Sequence, residues 1–263
     1  MKKYFFLLPL IYISLCNNIY TQEISQLRAT FTDEKITLDG IDSELSWGKT
    51  QVINDDFYQL IPLREVKASQ KNSIKIIYDD KFLYIFAKAS TKDGKASVPS
   101  LERDYQVQGT DAIFILLDTY SDSSNAFWFE ANSVGVKKDA LVSNGGLRFE
   151  SDIDFSWDIK YEVETFISEE FYNIEFKIPF SSLKFPEGST SWKVNFYRGD
   201  SANSEFSSWA KVPKGQNFSN LSFFGDLIFD KPLGSSKSPI ILIPYTNGIV
   251  SKDYENKSSF SDF

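Results

Sequence analysis

The feature that most constrains this chain is a period-two alternation of apolar and polar residues that recurs through its middle. Trp157, Ile159, Tyr161 and Val163 alternate with Asp158, Lys160, Glu162 and Glu164. Successive side chains of a strand point to opposite faces, so this pattern predicts a strand with one wet face. Tyr172, Ile174, Phe176 and Ile178 alternate in the same way with Asn173, Glu175 and Lys177, and Ser168-Glu169-Glu170 offers a hairpin link between the two. Trp192, Val194 and Phe196 begin a third alternating strand. Residues 73–78 and 82–89 are apolar runs joined by Asp79-Asp80-Lys81, a second hairpin, and 112–117 is apolar throughout, as a strand buried on both faces requires. A polar loop over 118–125 leads into a strand over 126–132. Further strands are predicted at 36–38, 139–142, 207–210 and 225–229, and only 43–49 and 180–184 have brief helical character. Many short strands without a long amphipathic helix predict an all-β antiparallel sandwich with short helical turns.

Composition narrows the chemistry. Histidine is absent, which removes Ser-His-Asp and Cys-His catalysis, His-ligated zinc and the usual near-neutral base. The single cysteine, Cys16, lies in the N-terminal apolar segment, so the rest of the chain has no thiol for a disulfide, a metal or an acyl substrate. A formal charge of −8 repels phosphate backbones and argues against a nucleic-acid partner.

The N-terminus reads as an export signal. Lys2-Lys3 precedes a mostly apolar stretch over 4–15, too short for a bilayer span of roughly 20 residues. Ile19 and Thr21 suit cleavage before Gln22. The rival reading, lipidation of Cys16, is disfavoured by the bulky Leu15 before it. The expected organisation is a signal peptide over 1–21, a lead-in over 22–35 and the sandwich over 36–230. A Lys-Pro-Gly-Ser linker opens 231–263, with one further apolar run at 240–245.

Several motifs point to a family. Asp39-Gly40-Ile41-Asp42-Ser43-Glu44-Leu45-Ser46-Trp47 resembles the "DGxxDExxW" opening of family 9 carbohydrate-binding modules, departing at Ser43. Tyr78-Asp79-Asp80-Lys81-Phe82-Leu83-Tyr84-Ile85 is similar to their "YDDxxLYI" hairpin, Asp111 and Asp118 bracket a similar strand, and Phe224-Gly225-Asp226-Leu227 resembles their closing "FGxL". The match runs from about 36 to 229. Asn132-Ser133-Val134-Gly135, Ser156-Trp157-Asp158, Ile178-Pro179-Phe180-Ser181-Ser182-Leu183 and Ile243-Pro244-Tyr245 resemble a branch of long exported bacterial proteins in which such a domain precedes an outer-membrane β-barrel-like region. The resemblance implies a DOMON-like sandwich and a non-catalytic, exported domain that binds oligo- or polysaccharide in glycan capture or breakdown. Its expected place is the periplasm, cell surface or outer membrane, with 231–263 as the truncated start of a barrel. The alternative is a docking domain of an outer-membrane barrel system without sugar affinity.

The family's sugar-binding members sandwich a terminal sugar between two tryptophans, because an aromatic ring matches the C–H face of a pyranose. The corresponding positions here are Gln108 and Phe218. Phe218 is either a ligand contact or a loop aromatic plugging the sandwich edge. Asp111, Asn195 and Arg198 are candidates for orienting hydroxyls, against a turn-capping role for Asp111 and a structural ion pair for Arg198. Trp47, Trp157, Trp192 and Trp209 read as core. Trp128, opposite in phase to Phe127 and Phe129, is the candidate for an exposed binding face. Asp118 with Asp122, or Asp152, Asp154 and Asp158, are candidate ligands for a structural calcium ion, which the family often carries.

Overall fold

In a computed structural model of the chain, the described residues are 25–105 and 108–235. The segment read as a signal peptide, with Cys16, the apolar run at 240–245 and most of the segment expected to open a barrel lie outside them. The strands are β1 (Gln26–Phe31), β2 (Val52–Asn54), β3 (Tyr58–Ile61), β4 (Asn72–Tyr78), β5 (Phe82–Ser90), β6 (Ala112–Asp118), β7 (Ala126–Asn132), β8 (Lys137–Val142), β9 (Ile153–Asp154), β10 (Glu162–Ile167), β11 (Phe171–Pro179), β12 (Ser191–Asp200), β13 (Glu205–Ser208) and β14 (Gly225–Phe229). They build an all-β sandwich, with helical structure confined to single turns.

One sheet runs β9-β8-β7-β6-β12-β14, with β13 and then β3 continuing from the same edge of β12 that β14 uses. The other runs β10-β11-β5-β4, with β2 on β4. All these pairings are antiparallel. The exception is β1, which lies parallel to β14 over Gln26 to Ala29 and then parallel to β4 over Thr30 and Phe31, so it passes from one sheet to the other. The segment read as a lead-in therefore holds the strand that joins the sheets. Its alternation, with Leu27 and Ala29 buried and Gln26 and Arg28 exposed, was legible but short.

Alternation sorts the side chains into three apolar layers. Ile113, Ile115, Leu117, Phe129, Trp192, Val194 and Phe196 meet Ile74, Ile76, Ile85, Ile174, Phe176 and Ile178 between the sheets. The outer face of the second sheet presents Ile77, Tyr84 and Phe86, covered by Ile36 and Trp47. The outer face of the first presents Ala112, Phe114, Leu116, Trp128, Ala140 and Tyr197, covered by residues of the 155, 206 and 218–224 regions.

The strands expected at 73–78, 82–89, 112–117, 126–132, 139–142 and 225–229 are present to within a residue or two. Five readings are corrected. Residues 157–161 keep the predicted alternation of burial but are not paired, and the strand begins at Glu162. Residues 36–38 form no strand, and 43–49 forms consecutive turns, Trp47 N to Glu44 O and Gly48 N to Leu45 O. The strand expected at 207–210 lies earlier, at Glu205–Ser208. The polar face of β11 is not wet: Asn173 and Glu175 are buried because the 39–40 turn lies over them. Asp39 N and Gly40 N donate to Glu175 Oε2 at 3.1 and 3.0 Å, and Asn173 Nδ2 donates to Gly40 O at 2.9 Å. Gly40 has φ +76°, and a Cβ there would stand 2.7 Å from the Thr165 carbonyl carbon. The Asp-Gly of the opening motif is thus a backbone requirement.

Candidate ligand-binding groove

The covered outer face of the first sheet is incompletely filled. A concavity of roughly 680 Å³ opens there, with Phe114 and Trp128 among the residues at its base, Phe206, Phe218 and Phe149 along its sides and Ile61 and Gln108 at its exposed rim. Its other end is polar, bordered by Asp200, Ser201, Ser204 and Glu205. This volume suits a ligand of one or two sugar rings.

The aromatic walls brace one another edge to face. Phe218 stands 5.9 Å from Trp128 at 78°, 5.5 Å from Tyr197 at 77° and 5.2 Å from Phe206 at 84°. Phe149 tilts against it at 5.6 Å. Such contacts fix ring planes, and Phe218 stays partly exposed among them. The backbone of Phe218 is held as well, since Tyr197 Oη donates to its carbonyl at 2.6 Å and in turn accepts from Asn195 Nδ2 at 3.0 Å. Tyr197→Phe removes both bonds. It is expected to lower stability by about 1–3 kcal/mol, read by thermal denaturation.

Gln108, Phe218 and Trp128 are brought to this one groove. Trp128 occupies the face expected from its phase, but it is only 1% exposed, which corrects the reading of an open surface residue: the ring is a buried base. Its Nε1 donates to Glu130 Oε2 at 3.1 Å. Glu130 is itself fully buried, and burial pushes its carboxyl up to about 7.

The three hydroxyl-orienting candidates lie behind the groove and not in its lining. Asn195 is buried, its Oδ1 accepting from Ala210 N at 2.9 Å. Asp111 accepts from Ser97 N and Ser201 N and so ties two loops at the polar end. Burial holds its carboxyl above the usual range, against these hydrogen bonds. Arg198 points between the sheets, where Nη1 donates to Asn72 Oδ1 at 2.7 Å and Lys71 O at 3.3 Å, and Nη2 donates to Ser90 O and stands 3.6 Å from Asp200. β12 places Arg198 on the same side as Trp192, Val194 and Phe196, and its neighbours Tyr197 and Gly199 on the groove side. The ion-pair alternative describes Arg198 as found.

The calcium candidates do not fit the ion. Asp118 accepts three backbone N–H groups, from Tyr120, Ser121 and Ser123 at 2.8–3.1 Å, so a cation beside it would face amide hydrogens. Asp122 caps Ser124 N at 2.9 Å. Asp152 serves Arg148 N, Asp154 serves Ser156 and Asp158 pairs with Arg103. No group of three acidic side chains converges among the described residues.

Phe149, Phe206 and Ile61 were not legible as site residues. Phe206 opposes Ser207 across β13, an alternation hidden by the four-residue length of the strand. Phe149 reaches the groove from a single helical turn, and Ile61 from the end of β3, paired with Phe206. Gly199, by contrast, has a clear reason: a Cβ there would stand 2.8 Å from Thr110 O, so glycine lets the 110 segment close the polar end.

No family model matches the chain, and no curated protein matches it in sequence. Among solved structures it is similar to a family 9 carbohydrate-binding module from Caldicellulosiruptor kristjanssonii in complex with cellotriose, at 16% identity, covering 84% of this chain and 100% of that one, TM-score 0.55. The glucose complex of such a module from the same organism gives 16%, 79%, 96% and 0.56. A candidate carbohydrate-binding protein from Bacteroides uniformis gives 15%, 79%, 100% and 0.62. At these identities the likeness is one of fold, and the fold is that of family 9 carbohydrate-binding modules.

Proposed function

We propose that this domain binds carbohydrate without acting on it, stacking a pyranose ring against Phe218 and neighbouring aromatics while the polar end orients hydroxyls. The observation that carries this reading is the partly open aromatic groove on the outer sheet face, bordered by both Gln108 and Phe218. Binding of cellotriose and glucose by modules of like fold supports it. The two carboxylates of the groove are engaged in the fold, Asp200 by Asn203 N and Nδ2 and Glu205 by Ser69 N and Oγ, which favours a binding role over an acid and base pair. The N-terminal signal-like segment supports export to the periplasm or cell surface, with a part in glycan capture or breakdown.

Calorimetric titration of the purified protein with cellotriose and a panel of neutral oligosaccharides tests this. Saturable binding is expected, weakened about tenfold, or about 1.4 kcal/mol, by Phe218→Ala. Absence of heat at millimolar sugar would remove the reading. A second reading draws on Gln108, a flexible amide where sugar-binding members carry a ring: the groove would then serve as a docking surface in an outer-membrane system. Sugar-independent retention in the outer-membrane fraction, lost in Phe218→Ala, would support it.

A further inference from the structure

The two ends of the groove differ in what they offer a ligand. Trp128 lies opposite Leu116, four residues along β6 from Ala112, which lies opposite Gly199. At about 3.3 Å per residue, the aromatic and polar ends are therefore about 13 Å apart along the strands. At the aromatic end Phe218 packs on Trp128, and Phe149 packs on Phe218 and, through Phe155, on Trp128. The polar atoms of these residues and of Tyr197 beside them are already taken: Trp128 Nε1 donates to Glu130, and Tyr197 Oη donates to the Phe218 carbonyl. At the other end Gln108 and Ser204 are exposed and Ser201 is half-buried, so amide and hydroxyl groups meet what enters. Asp200 and Glu205 offer no free carboxylate there. Both are buried on the side of β12 and β13 that carries Arg198, held by Asn203 and Ser69. The described lining includes no lysine or arginine, so the groove is uncharged along its length.

Resting on the carbohydrate-binding reading, we propose that the groove prefers a sugar bearing a compact, methyl-ended substituent, as in a 6-deoxyhexose or an acetamido sugar. The methyl group lies among Phe149, Trp128 and Phe218, and the ring hydroxyls turn toward Gln108, Ser201 and Ser204. A fully hydroxylated hexose carries polar groups around its whole edge, and a hydroxyl placed at the aromatic end exchanges water for rings that offer it no ordinary hydrogen bond. A methyl group in the same place loses no hydrogen bond and takes apolar surface out of water. The polar end favours the reverse, because hydroxyls there find donors and acceptors that the fold has not used. Selection therefore turns on where the sugar carries an apolar group.

Sugars matched except at one ring position test this by calorimetric titration of the purified protein. Glucose, galactose and mannose are each compared with the 6-deoxy counterpart, and glucose is compared with N-acetylglucosamine, which separates the two sources of the methyl group. At least one methyl-bearing sugar is expected to bind about tenfold more tightly than its hydroxylated parent. Phe149→Asn, at a position 42% exposed, puts an amide at the aromatic end. It is expected to cut the preference to about twofold or less, with its folding checked independently by denaturation. A preference that survives in the folded variant would overturn the placement of the methyl group and with it the proposal. Parent sugars that bind as tightly as every methyl-bearing counterpart would overturn the selection while leaving the carbohydrate reading intact. Failure of all the sugars, parents included, would overturn both.

Discussion

Arg198→Ala is expected to destabilise the protein by about 3–5 kcal/mol, the cost typical of removing one member of a buried charged network. The guanidinium is 2% exposed and its partner Asp200 3%, and it bridges the strands of both sheets by donating to Asn72, Lys71 and Ser90 from β12. Alanine leaves those acceptors without donors and Asp200 without its counter-charge, inside a core that water does not reach. Chemical denaturation measures the loss. Arg198→Lys should recover only part of it, since an ammonium cannot reproduce the planar fork that reaches three acceptors. The same experiment separates the two readings of this residue: a ligand contact would leave the denaturation midpoint in place and lower sugar affinity alone.

The second large effect is a loss of stability as pH rises through neutrality. Glu130 and Glu175 are each fully buried, and burial lifts both carboxyls from an ordinary 4.5 to about 7. For Glu130, Tyr105, Lys138 and Trp128 offset part of that penalty; for Glu175, Gly40 N and Asp39 N do. Between these pH values the folded protein holds protons that the unfolded chain has released. The stability contributed by these two groups is therefore greatest below about 4.5, falls through about 7 and levels off above it, each group contributing about 3 kcal/mol to the drop. Burial shifts Asp111, Asp118 and Asp139 in the same direction. Thermal denaturation at about pH 5 and pH 8 should give the higher Tm at pH 5. Glu130→Gln, which keeps an acceptor for Trp128 Nε1, should flatten the profile. A Tm that rises from pH 5 to pH 8 would mean that Glu130 is ionised and that its burial is relieved by an interaction stronger than those described.

The strands of the sandwich were legible because its inner faces obey a local rule. In β4, β5, β6, β7 and β11, alternation or a continuous apolar run marked strands within a residue or two of their observed ends, and in β12 it marked the first half of a strand that continues to Asp200. The reading faltered where the partner of a strand's second face is remote in sequence. Asn173 and Glu175 read as wet because a strand does not encode what will lie over its polar side; that cover is the 39–40 turn, more than 130 residues away. Residues 157–161 alternate as a strand does, yet pairing needs an unoccupied edge in register, which periodicity cannot report. β1 was missed for a related reason, since its parallel pairing with β14 and β4 brings together the two ends of the domain.

The groove divides along the same line. Residue order alone was enough for the all-β class, the hydrophobic interior, the exclusion of histidine and thiol chemistry, and, through likeness to a family motif, two positions of the groove, Gln108 and Phe218. Which polar residues border the groove and which serve the fold depends on how the strands pack. Asn195 and Arg198 are three positions apart on β12, on opposite sides of the sheet, and each is held by partners 15 to 127 residues away. Packing also decided that Phe149, Phe206 and Ile61 join Phe218 around one concavity. Periodicity is a property of neighbouring residues, set by the geometry of a single strand. A binding site is a convergence of distant ones, set by how strands pair and which loops cover them.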